Sequence, residues 1–183
     1  MEIWLLRHAE TEWSRDGRHT GRTDVPLTEA GRERARGLRE RIAGHEFALV
    51  LSSPLSRARE TAELAGLTPQ LRDDLLEFDY GEYEGITTAQ IREQRPHWYL
   101  WRDGCPGGET PDDVGRRVDR VIDEALSAGV DVALVAHGHV LRALAARWVE
   151  EPAAFGGRLA LDTGAVCVLG FEREVRVIRH WNS

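Results

Sequence analysis

Three apolar runs in this chain end on residues that can do chemistry. Ile3-Trp4-Leu5-Leu6 stops at Arg7-His8. Phe47 to Leu51 leads through Ser52-Ser53-Pro54 to Arg57, and Val132 to Ala136 ends on His137-Gly138-His139. A guanidinium carries a permanent positive charge on a planar fork of N–H donors, which suits the oxygens of a phosphate. An imidazole can donate, accept or attack near neutral pH. One histidine at a strand end is more often structural than functional. Two arginines and two histidines at three such ends imply one cationic pocket for an anion, provided that the ends meet in space.

That proviso concerns the fold. Ile3–Leu6 reads as a short buried strand. Thr28 is an N-cap, followed by Gly31, Ala35, Leu38 and Ile42 at helical spacing up to Gly44. Phe47–Leu51 is a second strand, and Pro54 opens a helix running to Gly66. Residues 67–108 hold one short helical piece near Thr88–Gln94 among many aromatics and glycines, and read as a substrate-covering insertion. Thr110-Pro111-Asp112-Asp113 caps a helix whose buried face is Val114, Val118, Val121, Ile122 and Ala125. Val132–Ala136 is a strand, a helix follows with Leu141, Leu144, Ala145 and Trp148 inward, and two strands close the chain near 165–171 and 175–179. Alternating strands and helices with continuous apolar strands predict an α/β protein: a three-layer αβα sandwich on a mostly parallel central sheet. The length suits a single domain over 1–183. Ligands of such sheets sit at the carboxyl ends of the strands, where the three motifs lie.

Charge and composition narrow the partners. The formal net charge is −7, so the field of the whole molecule repels polyanions, and nucleic acid is excluded as a partner. A small anion is compatible if arginines converge locally. Cys105 and Cys167 form no metal or disulfide pattern, which implies a reduced, cytoplasmic setting. The first apolar run is four residues long with an acid at Glu2, so neither a signal peptide nor a membrane span is expected. Trp98, Trp101 and Trp148 read as packing residues, and Cys105 as inert.

Five ordered blocks extend the pattern: LLRHAETEW at the first strand, RHTGRTDVPLTEAGRERA from Arg18 to Ala35, SSPLSRARETA from Ser52 to Ala62, LLEFDYGEYEG from Leu75 to Gly85, and LVAHGHVLRAL from Leu134 to Leu144. Together they resemble the histidine phosphatase superfamily, the phosphoglycerate mutase-like family. The resemblance implies that fold, no cofactor and no metal. It implies that His8 is the nucleophile that forms a phosphohistidine, its other ring nitrogen holding a proton against a backbone carbonyl. Arg7, Arg57 and His137 would hold the phosphoryl oxygens, and Glu77 would be the general acid and base. Glu84, in the same block, would be structural. Thr20 and Gly21 match the family's substrate-side loop, and His19 and His139 could also face the pocket. Ala9 stands where the family usually has glycine.

The implied activity is hydrolysis of small phosphorylated metabolites. The stretch from Glu77 to Glu93 and the stretch from Trp101 to Thr110 resemble a subgroup of small bacterial acid phosphatases and sedoheptulose-1,7-bisphosphatase-like enzymes, which points to sugar phosphates. The alternative is a 2,3-bisphosphoglycerate-dependent phosphoglycerate mutase. The family's mutases carry asparagine at position 14, a lysine near 87–88 and an arginine pair in the insertion. Here Ser14, Thr87-Thr88 and separated arginines stand instead, and Arg116-Arg117 reads as a solvated pair on a helix. A metallohydrolase using His8, His137 and His139 is disfavoured by the two arginines beside them, and a binding module with a dead pocket by the full set of catalytic types. A monomer or a homodimer is compatible with the sequence.

Overall fold

In β1 (Ile3–Arg7), Ile3 and Leu5 turn to one face and Trp4 and Leu6 to the other, and all four are buried. The strand is therefore covered on both sides, as its unbroken apolar run requires. The computed structural model describes every residue, 1–183. After β1 come α1 (Glu12–Arg15), α2 (Glu29–Arg41), β2 (Leu49–Ser52), α3 (Ser56–Leu64), β3 (Gln70–Leu71), α4 (Thr88–Gln94), α5 (Leu100–Asp103), α6 (Pro111–Ala128), β4 (Val132–Ala136), α7 (Gly138–Trp148), β5 (Val166–Glu172) and β6 (Val175–His180). No helix is long and apolar enough to cross a membrane.

The six strands form one sheet in the order β3-β2-β4-β1-β5-β6. The pairings from β3 through β2 and β4 to β1 are parallel, and those of β5 with β1 and β6 are antiparallel. One face is covered by α6 and α7, with Val114, Val118, Val121, Leu141, Leu144 and Trp148 in the core. The other face takes Leu38 and Ile42 at the end of α2 and Ala62 and Ala65 at the end of α3. This is the expected layered α/β architecture, with a sixth strand that the sequence did not show: β3 is only two exposed residues. The four-residue helices α1 and α5 are likewise too short to carry a periodic signal.

Residues 67–108 do not hang apart. Leu75, Phe78, Tyr80, Ile91, Trp98, Leu100 and Trp101 belong to the same apolar cluster as β1 and α7. Trp98 donates its indole N–H to the Gly104 carbonyl at 2.9 Å and Trp148 donates to Val177 at 3.1 Å, so both are satisfied packing residues.

Local signals explain most helix starts. Thr28 accepts from the Gly31 amide at 2.9 Å, and Thr110 forms a reciprocal cap with Asp113 ahead of Pro111. The start of α3 is different. Pro54 lies ahead of the helix rather than in its first turn, and the N-cap Leu55 supplies no side-chain bond. The helix is capped instead by Asp24, a distant residue, which accepts from the Ser56 amide at 2.9 Å and from its hydroxyl at 2.7 Å. A cap supplied across 32 residues leaves no local trace.

Gly31 lets α2 lie directly on the segment that follows His8. A Cβ added there would fall 2.2 Å from the Glu10 carbonyl oxygen. Helix propensity favours Gly31→Ala by up to about 1 kcal/mol, but a backbone clash of this kind costs about 1–3 kcal/mol. The clash should win: urea denaturation should show Gly31→Ala to be the less stable protein, whereas increased stability would mean that α2 can move away at no cost.

Candidate active site

The sheet order brings the three strand ends together. Arg7 pairs with Ala136 across β1 and β4, the His8 amide donates to the Ala136 carbonyl at 2.8 Å, and the Ser53 amide donates to Val135 at 3.0 Å. The His8 and His137 rings lie 5.1 Å apart, edge to face. His8 Nδ1 stands 2.7 Å from the Ala9 carbonyl oxygen, an acceptor only, so Nδ1 carries the proton and Nε2 keeps its lone pair. Burial, then the charges of Arg57 and Arg7, hold His8 well below the ordinary histidine pKa, so the ring is neutral. Ala9 is accommodated without strain: its φ is not in the left-handed region, and its methyl packs with Leu27 and Ala35.

A cavity of about 230 Å³ opens over these strand ends, below the usual size of a site for a drug-sized ligand and suited to a small metabolite. Arg7, His8, Glu77 and Thr20 line it. Arg7 donates one guanidinium N–H to Leu161, while its Nε is buried without any partner, the only buried side-chain nitrogen or oxygen left so. An anion seated beside Arg7 would relieve that cost. Gly138 packs on the guanidinium: a Cβ there would lie 3.1 Å from Arg7 Cζ.

Arg57 and His137 join the strand-end cluster at greater depth than Arg7. Both are fully buried one layer behind the cavity wall. Arg57 spends its fork on the protein, donating to the carbonyls of Thr20, Gly21 and Thr23 and through Nε to His137 Nδ1 at 3.1 Å. His137 must then carry its proton on Nε2, which donates to Ser53 Oγ at 2.7 Å. Burial, followed by the Arg57 charge, keeps this ring neutral too. Gly21 is also off the wall. Its amide donates to the Glu84 carboxylate, and a Cβ would meet the Phe78 carbonyl oxygen at 2.5 Å. Glu84, which accepts from Thr23 as well, is the structural carboxylate that ties this loop down. Both ring nitrogens of His137 are committed, and no group of three or more metal-binding side chains converges.

Glu77 is held from two sides. Its carboxylate accepts from the amides of Phe78 at 3.0 Å, His139 at 2.9 Å and Val140 at 2.8 Å, the last two in the first turn of α7. That helix end carries partial positive charge, complementary to a carboxylate. Its backbone is fixed by Arg117, which donates to the carbonyls of Asp74, Leu76 and Glu77 and forks onto Glu109 at 2.8 and 3.0 Å. Arg117 is thus buried, not solvated as the Arg116-Arg117 pair suggested.

Several wall residues escaped the sequence reading: Tyr80, Arg18 and Arg142 above all. Arg142 lies over the Trp101 ring at 5.0 Å and donates to Gly156 at 2.9 Å. A signal for it existed, since Arg142 is three residues after His139 and so shares its face of α7. Although the insertion lacks an arginine pair, the cations Arg18 and Arg142 stand on the wall in addition to Arg7. His19 and His139 do face the cavity. Cys105 is buried, and its thiol is pushed up to about 12 by that burial, in keeping with an inert role.

Truncating Arg117 to Met would take the forked partner from half-buried Glu109, leaving it Arg22 at 3.8 Å and the Asp79 amide, and would leave three carbonyls without their Arg117 donor. Arg117→Met should lose about 1–3 kcal/mol of stability and much of any activity that depends on Glu77. Denaturation and turnover measured together check this; full activity at wild-type stability would show that Glu77 does not need the tie.

Residues 3–183 match the family model of the histidine phosphatase superfamily, branch 1. The chain is 46% identical over 179 residues to an acid phosphatase of Mycobacterium tuberculosis, covering 95% of this chain and 88% of that protein. It is 35% identical over 179 residues to the sedoheptulose 1,7-bisphosphatase of Saccharomyces cerevisiae, covering 79% of this chain and 66% of that one. The solved structure of an open reading frame product from Mycobacterium tuberculosis superposes with a TM-score of 0.95 at 44% identity, over 99% of this chain and 96% of the other. Sequence, fold and strand-end cluster agree, and the chain belongs to branch 1 of the histidine phosphatase superfamily, as an enzyme of the phosphatase type.

Proposed function

We propose that the protein hydrolyses small phosphomonoesters in the cytoplasm through a phosphohistidine formed on His8. The observation that carries this reading is the state of His8: a neutral ring with Nδ1–H tied to Ala9 and a free Nε2, in a cavity that Arg7, whose Nε is unpaired, also lines. Nε2 attacks phosphorus and the bond to the departing oxygen breaks as Glu77, which enters the cycle protonated, gives that oxygen its proton. Glu77 then takes a proton from water, whose oxygen bonds to phosphorus as the Nε2–P bond breaks and phosphate leaves. Arg7 compensates the phosphoryl charge directly. Arg57 acts from behind, through its charge and through the orientation of His137. Thr20 and the segment 67–108 close the substrate side, and reaction requires no metal ligand from this chain.

The extra cations Arg18 and Arg142 favour substrates with a second anionic group, such as sugar bisphosphates. The same cations support a second reading, a phosphoglycerate mutase, because a mutase must retain a bisphosphorylated intermediate. Product analysis separates the two: hydrolysis releases inorganic phosphate from 3-phosphoglycerate or a sugar bisphosphate, whereas a mutase returns 2-phosphoglycerate.

Wild type should hydrolyse p-nitrophenyl phosphate in EDTA, and His8→Ala should fall to background. Equal activity of the two proteins would end the phosphohistidine reading. Glu77→Gln should keep the fold and lose about 10²–10⁴ in kcat, the loss being smaller for an aryl ester, whose leaving group needs less protonation, than for an alkyl ester. Equal losses on both esters would argue against general acid catalysis.

His8, His137 and His139 are all held well below 6.5, first by burial. The unfolded chain therefore binds more protons than the native one below about pH 6.5, and stability should fall as pH drops from there. NMR titration from pH 8 to 4.5 should show no His8 inflection near 6.5; an ordinary inflection would contradict the buried neutral nucleophile.

A further inference from the structure

His19 and His139 line the cavity, with nearly parallel rings at 6° and centroids 6.4 Å apart, His139 Nδ1 standing 3.8 Å from a Glu77 carboxylate oxygen. Their protons are fixed differently. His19 Nδ1 lies 2.9 Å from the Ile86 carbonyl oxygen, which only accepts, so Nδ1 carries the proton and Nε2 is an acceptor. His139 Nδ1 lies 2.5 Å from the Tyr80 hydroxyl. This phenol is buried and bonds no other side chain; a phenol O–H is a stronger donor than an imidazole N–H, and a neutral imidazole nitrogen a stronger acceptor than a phenol oxygen, so the Tyr80 hydroxyl is assigned as the donor to Nδ1. His139 must then carry its own proton on Nε2, as a donor. Burial holds both rings below the ordinary histidine pKa, which keeps them neutral. Neither Nε2 bonds within the protein, and neither is a buried orphan, so both open to the cavity.

We infer that His19 and His139 form an acceptor–donor pair that reads hydroxyl groups on the carbon skeleton of the substrate, selecting sugar or polyol phosphates over phosphates of plain alcohols. A hydroxyl both donates and accepts, so adjacent hydroxyls on one skeleton satisfy His19 Nε2 and His139 Nε2–H together. An alkyl chain satisfies neither and strands both in a desolvated pocket. Arg18 and Arg142 bind charge; this pair adds a reading of neutral polar groups. Tyr80 is a positioning residue, since its hydroxyl decides which nitrogen of His139 presents the proton. The inference rests on the hydrolase reading above.

The test uses two esters with the same four-carbon skeleton, erythritol 4-phosphate and n-butyl phosphate, and reads the ratio of their kcat/KM values. Wild type should prefer the polyol ester by tenfold or more. His19→Leu and His139→Leu should each lower that ratio about tenfold, chiefly through KM, and His139→Gln, which keeps an N–H donor, should restore part of it. Nitrogen-15 NMR should show His19 protonated on Nδ1 and His139 on Nε2, with the His139 preference weakened in Tyr80→Phe. A wild-type ratio near one, a parallel loss on both esters in the variants, or the same tautomer at both histidines would overturn the inference while leaving the hydrolase reading intact. Failure of wild type to hydrolyse any phosphomonoester, p-nitrophenyl phosphate included, would overturn the hydrolase reading and this inference with it.

Discussion

A guanidinium with no exposure to water organises this site. Arg57 has no anion in contact to balance it, so its charge is stabilised by hydrogen bonds to the carbonyls of Thr20, Gly21 and Thr23 and to His137. Those bonds draw the loop after Arg18 over the strand ends, and Glu84 holds the same loop from its amide side. The buried charge also acts outward. It opposes protonation of His8 and His137, leaving two neutral imidazoles in a positive field. Such a field favours an arriving phosphate dianion and disfavours a proton on His8 Nε2, so one interaction meets both needs of the proposed reaction.

Glu77, the proposed acid and base, is organised by the opposite logic. The Glu77 carboxyl is held by backbone N–H groups, two of them at the start of α7, while Arg117 pins the carbonyls of its own segment. The helix that begins at Gly138 therefore serves several ends of the site. Gly138 receives the Arg7 guanidinium, the His139 amide bonds Glu77 and the His139 ring faces the cavity. Arg142, one turn on, adds charge to the wall. The strand-to-helix corner at His137 is rigid because β4 lies in the middle of the sheet and the inner face of α7 is buried.

Much of this was legible in the sequence, and for physical reasons. An apolar run that stops at Arg7-His8 has to end at the edge of a core, and so do the runs before Arg57 and His137. Thr28 and Thr110 cap their helices by bonds to residues three positions away. What escaped depends on distant partners. The cap of α3 comes from Asp24, and β3 exists only because β2 supplies its pairing. Arg117 looks like one half of a solvated pair until the carbonyls of residues 74–77 are seen to converge on it. Arg57 and His137 were recognisable as members of the cluster, but not their depth, because the loop carbonyls that occupy Arg57 lie more than thirty residues earlier in the chain. The cavity cations Arg18 and Arg142 are ordinary surface arginines by composition and become part of the site only through the fold.

The central claim is that His8 Nε2 becomes covalently phosphorylated, and it can be observed directly. The enzyme would be mixed with a phosphomonoester, quenched in alkali within the first turnover to preserve the acid-labile P–N bond, and digested for mass spectrometry. The account predicts one phosphoryl group on the peptide that carries His8, at the nitrogen remote from the backbone, and none in His8→Ala. A phosphoryl group on His137 or another residue, or none in an enzyme that is turning over, would contradict it.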